Sequence, residues 1–390
     1  LNADRDHLNS LFAVVDSTWL PVLANDAPIA EVRSVADRIK QEIFQRLNEG
    51  DAIAFLDRPM IKVPGSETLM AGQEVAKRYW PSENDMDGVQ AIAAKYKARL
   101  HGDSIVFPRG KYAIDEDLII PKGYALIMLS GARVTMAAGK NILCQGPLHI
   151  RGSKLNPVFI RPGGGAFGTI AVMGDGDTPC SINGLQISGG TGARINGVQH
   201  PAMLSIQDAI TSRFSNCVFS APAGDLALFV QGGGFNMEDC AMLSSKVEVR
   251  DVSGDVRTTN FQGGNRGGGG LAMNASTMKI ENCTFASINT SAVEANDGSK
   301  VLVRSSQITQ CGQAVSATDL SEVHLVENSI SGNKLALSAK RIKPLYGGAK
   351  IFLYTNEIQR NSNERVSDEH SSITDGQVFD ERVLEHESIQ

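Results

Sequence analysis

The sequence predicts an all-β solenoid, a parallel β-helix of about eleven coils, behind an N-terminal α-helical region and a helical cap. Three observations predict it. First, short apolar strands recur at a nearly constant step. The residues Phe219, Met242, Phe261, Phe285, Ile308, Ile330 and Ile358 close equivalent four-residue phrases and follow one another at 23, 19, 24, 23, 22 and 28 positions. Second, two further columns keep the same register: Val293, Val315 and Leu337, and Ser276, Ser299 and Ser321, which each open an alternating strand. Third, the chain holds 39 Gly but only 6% aromatic residues, which suits many small repeated turns. A coil of this length cannot bury its inward side chains alone. Stacking coils ~4.8 Å apart pairs each strand with its equivalents above and below and fills the bore with like residues.

Residues 1–84 read as a helical hairpin followed by loop. Leu8, Leu11, Phe12, Val15 and Trp19 form one apolar stripe at three- and four-residue steps, and Val32, Val35, Ile39, Ile43 and Leu47 form a second. Asp26 and Pro28 suit a helix start between them, and Gly50 suits a stop. Residues 51–84 lack a period and carry Pro59, Pro64, Gly65 and Pro81, so they read mainly as loop. Within 85–103 a helix is expected from about Asp87 to Leu100, with Val89, Ile92, Ala93 and Tyr96 on one side. It stands where an open end of stacked strands needs a cap. At Ser104 the pattern changes to short alternating runs ended by Gly, Asn or Asp, and the solenoid is placed at 104–360. Such a stack would be on the order of 50 Å long. Residues 361–390 read as a polar tail, in which Val378, Phe379 and Val383 are the residues able to dock back.

Composition narrows the function. With 37 Lys+Arg against 43 Asp+Glu, the net charge of -6 argues against a general nucleic-acid binder. No apolar run reaches the ~18 residues of a membrane span. The chain begins at Leu1 and shows no basic region followed by an apolar leader.

Residues 104–360 resemble the right-handed parallel β-helix superfamily of pectate-lyase-like proteins. Asp103-Ser-Ile-Val-Phe-Pro-Arg-Gly-Lys-Tyr112 looks like the superfamily's first coil. Closer still, Asp117–Gly123, Asn156–Ile160, Ser181–Ile187, Gly312–Ser321 and Lys343–Gly348 resemble the β-helix modules of bacterial cell-surface proteins found beside spore-coat-kinase-like (CotH) domains. The resemblance implies a right-handed solenoid and a periplasmic or extracellular, bacterial setting. It implies no particular activity, and the kinase-like part has no counterpart here.

The six cysteines (144, 180, 217, 240, 283 and 311) include no C-x-x-C pair, so a zinc or redox motif is not expected. Cys217, Cys240 and Cys283 occupy one inward position of their coils. Parallel stacked Cα–Cβ vectors do not converge on disulfide geometry, and buried thiols are the reading. Asn216, Asp239 and Asn282 precede them and suit a left-handed bend better than a ligand site.

The superfamily's enzymes need sets of acidic residues on neighbouring coils. Of a polygalacturonase-like set only Arg341-Ile-Lys343 is present, and no pectate-lyase set is evident. Glu248 and Glu294 would lie two coils apart, about 10 Å at Cα, slightly beyond an inverting-glycosidase pair. Surface glutamates beside Arg250 explain them as well. A denser polar cluster comprises His200, Asp208, Arg213, Asp225, Arg250, Asp251, Asp255 and Arg257. Catalytic candidates are therefore Asp208, Asp225, Asp251, Arg250, Glu248 and Glu294, and substrate-binding candidates are His200, Arg213 and Arg257. Mixed Arg and Asp suit an anionic sugar, or equally ion pairs between coils. The glycine runs at 163–165, 232–234 and 267–270 lack the context of a phosphate loop.

Two readings follow. One is a non-catalytic β-helix that binds or scaffolds polysaccharide, or another envelope protein, at a bacterial cell envelope. The other is a lyase, hydrolase or epimerase acting on an acidic glycan through the Arg/Asp cluster. No metal or cofactor is expected, except a divalent cation such as calcium under the lyase alternative. Self-association through the N-terminal helices stays open.

Overall fold

In the computed structural model the described residues are 60–62, 69–71, 86–195, 198–220, 222–224, 226–264, 269–376 and 378–379. The chain divides into two compact units, Leu1–Arg78 and Tyr79–Gln390. In the first, Met60–Lys62 pairs antiparallel with Leu69–Ala71, so the stretch read mainly as loop contains a small strand pair. The expected helical hairpin over residues 1–50 lies outside the described residues.

The second unit opens with helix α1, Met86–Tyr96, which buries Val89 and Tyr96. The helix ends four residues earlier than the periodicity suggests. Lys97 adopts left-handed backbone geometry at φ 52°. Its N–H reaches the Ala94 carbonyl and the Ala98 N–H the Ala93 carbonyl, a Schellman closure. Arg99–His101 then turns back as a strand against Ser104–Phe107. Val89 joins the same apolar cluster as Ile105 and Phe107, and the rings of Tyr96 and Phe107 lie 6.0 Å apart.

From Ser104 the chain winds into a parallel solenoid with three faces. The first face runs from Leu118–Ile120 through Lys246–Arg250 and Ser291–Asn296 to Asn363–Ser367. The second runs from Ser104–Phe107 through Ser253–Arg257 and Lys300–Arg304 to Ser372–Asp375. Both share one sheet, bridged by the long strands Ile170–Asn183 and Ala202–Ser215. The third face is a sheet of eleven strands, from Gly110–Ile114 to Glu357–Gln359, which gives about eleven turns.

The interior columns have the expected register. Phe219 pairs with Met242, Met242 with Phe261, Phe261 with Phe285, Phe285 with Ile308, Ile308 with Ile330 and Ile330 with Ile358. Val293, Val315 and Leu337 follow suit. The Phe261 and Phe285 rings stack at 4.5 Å with an interplanar angle of 7°. One core therefore runs through all the coils, from Val89 to Leu353.

The turns are made by repeated local chemistry. Asn216, Asp239, Thr258, Asn282, Ser305, Glu327 and Thr355 all stand in the left-handed region, at φ between 44° and 56°. Next to them inward polar side chains cap the backbone of the coil below. The Thr259, Ser306 and Asn328 oxygens accept from the Cys240, Cys283 and Ser306 N–H groups at 3.4, 3.1 and 2.9 Å. At another corner Ser276, Ser299 and Ser321 do the same for Val252, Ser276 and Ser299. Buried backbone donors thus find partners at each corner. The six thiols are free and buried. Burial pushes Cys180 and Cys283 up to about 11.

The C-terminal boundary moves. Asn363–Ser367 and Ser372–Asp375 pair with Leu335–Ala339 and Lys350–Leu353, so solenoid pairing continues past 361. Strand Asn363–Ser367 is exposed throughout. Its polar sequence therefore belongs to a coil of the solenoid rather than to a tail, and no described coil stacks on its far side.

Candidate functional site

The residues singled out from the sequence fall at three places. On the first face, Glu248 and Glu294 stand two coils apart with Ala272 between them, as expected. Both are occupied. Arg250 bonds Glu248 at 3.1 Å, the Asn274 amide adds 3.4 Å, and Lys246 bonds Glu294 at 3.0 Å. The Arg250 guanidinium also lies 5.7 Å from the Phe229 ring centroid.

Asp208 and Asp251 occupy the turn between the first and second faces, both left-handed at φ 54° and 53°, with Gly232 between them at φ 78°. Burial first, and then the Asp251 carboxylate, hold the Asp208 carboxyl above its ordinary range. A Cβ on Gly232 would come 3.4 Å from the Asp208 carboxylate oxygen.

Arg213, Asp255 and Arg257 belong to the second face. Arg213, Asn236, Asp255 and Lys279 form one outward column. Arg257 bridges Asp255 at 3.3 Å and Glu281 at 3.4 Å. The cluster is thus split between two faces and the corner that separates them, because consecutive residues at a turn project onto different faces. Asp225 lies outside the described residues.

His200 corrects the sequence reading more sharply. It ends the small hairpin of Ala193–Ile195 and Val198–His200. It is wholly buried, and neither ring nitrogen has a hydrogen-bond partner among the described residues. Burial lowers its pKa to about 4. A residue so enclosed is not presented to a polymer on the surface. The Arg341–Lys343 tripeptide is also structural: Asp319 accepts from the Ile342 and Lys343 N–H groups at 2.7 and 2.8 Å, and the Lys343 ammonium pairs with Asp297.

On the second face near its C-terminal end, Leu302, His324 and Phe352 form an outward column. His324 bonds Glu322 at 2.7 Å and stacks on Phe352 at 4.9 Å. Phe379 docks there against Tyr354 at 5.3 Å and under the Arg304 guanidinium at 5.3 Å. Val378 beside it is exposed, and Val383 lies outside the described residues.

A site not singled out from the sequence lies on the third face, over the first three coils. Arg109, Lys111, Arg133, Leu155, Asn156, Pro157 and Phe159, with Gly110 and Gly131, line a cleft of about 420 Å³. Lys111 and Arg133 are directly in register, and Phe159 follows Arg133 in the same outward column. The Arg133 and Arg161 guanidinium carbons lie 5.7 and 4.9 Å from the Phe159 centroid. The Arg109 stem lies over Gly131, where a Cβ would come within 3.2 Å of it. No carboxylate lines this cleft.

The family description "Right handed beta helix region" matches residues 170–364, half of the chain. The chain belongs to the right-handed β-helix family. No curated protein matches it. Among solved structures, this β-helix is similar to the periplasmic alginate epimerase AlgG, at 10% identity and a TM-score of 0.41 over 75% of this chain and 82% of that one. It is also similar to the Azotobacter vinelandii mannuronan C-5 epimerase AlgE4 A-module, at 15% identity and a TM-score of 0.33 over 76% and 96%. A third is the bacteriophage CBA120 tailspike protein 3, at 10% identity and a TM-score of 0.29 over 88% and 69%.

Within this β-helix the two kinds of surface differ chemically. On the first and second faces Lys246, Arg250 and Arg257 pair with Glu294, Glu248 and Asp255. The cleft offers cations and an arene, with no carboxylate among its described lining residues. Among the described residues no group of three or more His, Cys, Asp or Glu is placed to hold a metal ion. The same residues contain no helix long and apolar enough to cross a membrane.

Proposed function

We propose that this β-helix is a non-catalytic module that binds or scaffolds an extended polysaccharide at a bacterial cell envelope. One observation carries the reading: the outward carboxylates closest to a catalytic pair, Glu248 and Glu294, are each held by a cation of their own face. A glycosidase needs one carboxyl free to donate a proton and a second free to attack or to activate water. Here the stacked faces present a long ion-paired surface, which suits a polymer lying along the coils. Helix α1 serves in this reading as the cap of the N-terminal sheet edges. The periplasmic or extracellular setting belongs to the proposal, as does freedom from any cofactor.

The enzyme reading, in which a lyase, hydrolase or epimerase acts on an acidic glycan, is favoured by one residue. The raised pKa of Asp208 beside Asp251 is what a general acid requires.

The deciding experiment exposes the full chain to acidic and neutral polysaccharides. Unsaturated product, reducing ends, epimer ratio and binding are followed together. Binding without turnover is expected. Turnover that disappears in Asp208→Asn would replace the binding reading with the enzymatic one.

A further inference from the structure

We infer that the cleft on the third face is a binding site for a carboxylate-bearing sugar, the point at which an acidic glycan is gripped. The inference deepens the polysaccharide-binding reading and rests on it only in taking the ligand to be a glycan.

The argument begins with charge. The chain is acidic overall, and several cations of its faces are paired: Arg250 with Glu248, Lys246 with Glu294, Arg257 with Asp255, Arg365 with Asp375. Arg109, Lys111, Arg133 and Arg161 stand together, and none makes an ion pair to a described residue. Lys111 and Arg133 are moreover stacked in register on adjacent strands, about 4.8 Å apart along the sheet. Like charges directly opposite each other destabilise a sheet. A like-charge pair with no counter-ion among the described residues leaves a place for an external anion.

The second part is shape. Arg109, Lys111 and Arg133 do not lie on a flat surface but around a concavity of about 420 Å³, within the range of small-ligand sites. Gly131, left-handed at φ 79°, lets the Arg109 stem lie across the floor. A side chain there would be strained and would push the guanidinium away.

The third part is the arene. Phe159 continues the Lys111–Arg133 column outward, and the Arg133 and Arg161 guanidiniums flank it. Leu155, almost entirely exposed at 91%, stands among the lining residues. A sugar acid has both features this site addresses: a carboxylate for forked guanidinium donors and an apolar C–H face for the ring. Nucleic acid fits less well. A phosphate-backbone site draws on roughly six to ten phosphate contacts, whereas this patch has four cations.

The test titrates the full chain with a homogeneous oligogalacturonate, with the same oligomer after reduction of its carboxyl groups, and with single-stranded DNA of equal charge. The acidic oligomer should bind, and its reduced form about tenfold more weakly or worse. Arg133→Glu should lower affinity at least about tenfold. Because it also replaces a like-charge pair by an opposite pair with Lys111, it should leave the thermal midpoint unchanged or raised. Lys334→Glu, an equal charge change on an exposed residue far along the coils, should leave affinity intact. If the glycan binds wild type and Arg133→Glu equally, the cleft is not the site, although polysaccharide binding survives. Equal affinity for DNA overturns the choice of ligand, and no binding of the acidic oligomer overturns the inference itself. Turnover of a bound oligomer, with binding still lost in Arg133→Glu, would sink the non-catalytic reading and keep the cleft.

Discussion

Asn328 shows how one side chain serves two coils. It is 2% exposed and accepts the Ser306 N–H while its amide donates to the Val303 carbonyl at 2.8 Å and to Asn356 at 3.0 Å. Asn328→Leu keeps the branched shape but leaves a buried donor and acceptor unmatched, so it should cost about 3 kcal/mol, read as a lower denaturant midpoint. The quieter Asn→Ser change, which Ser306 already illustrates one coil earlier, should cost less. His200 makes the opposite kind of statement. Its ordinary pKa of 6.5 is lowered to about 4 in the folded chain. Between these values the unfolded chain takes up a proton that the folded chain refuses. Stability should therefore fall as pH drops from about 6.5 towards about 4, by up to about 3 kcal/mol. A His200→Met variant should show a flatter profile of thermal midpoint against pH over that window. An unchanged profile would mean that His200 is not the group responsible.

At the scale of elements, Phe379 covers an apolar column on the second face. Leu302 and Val326 are buried beneath Tyr354 and Phe379 although they point outward from their strands. An exposed apolar column of this kind is an association hazard unless covered. Ending the chain after Gly376 should expose it, raising the binding of an apolar dye while leaving the far-ultraviolet spectrum of the solenoid in place. If dye binding does not change, Phe379 is not the cover. The same element scale explains the solenoid's boundary. Polarity in residues 361–375 mimics a tail because no described coil stacks on the far side of this one, and the backbone pairings of Leu337 with Arg365 and of Ile351 with Ile373 reveal its membership.

For the molecule as a whole, repetition made the fold legible. A column such as Phe219, Met242, Phe261 and Phe285 can be read from sequence because stacked coils place equivalent residues over one another, and each then needs the same apolar, inward character. The turn residues Asn216, Asp239 and Asn282 were legible for the same reason, since left-handed backbone geometry recurs at one position of each coil. Sites obey no such rule. The apparent Arg/Asp cluster came apart because Arg250 and Asp255 are five residues distant in sequence yet lie on different faces, with the Asp251 turn between them. The cleft was missed because the recurring phrases that fix the register begin only near Asn216, so no repeated phrase aligns Lys111, Arg133 and Phe159, although their steps of 22 and 26 fall within the range of the later coils. A column of outward cations could have been extended N-terminally only by knowing which residues the turns absorb. What the amino-acid pattern determined by itself was the winding, since periodic burial is a local requirement imposed on every coil. Which charged groups neutralise one another, and which are left facing an open cleft, was decided only by tertiary structure, because electrostatic pairing depends on distances across coils that no linear spacing encodes.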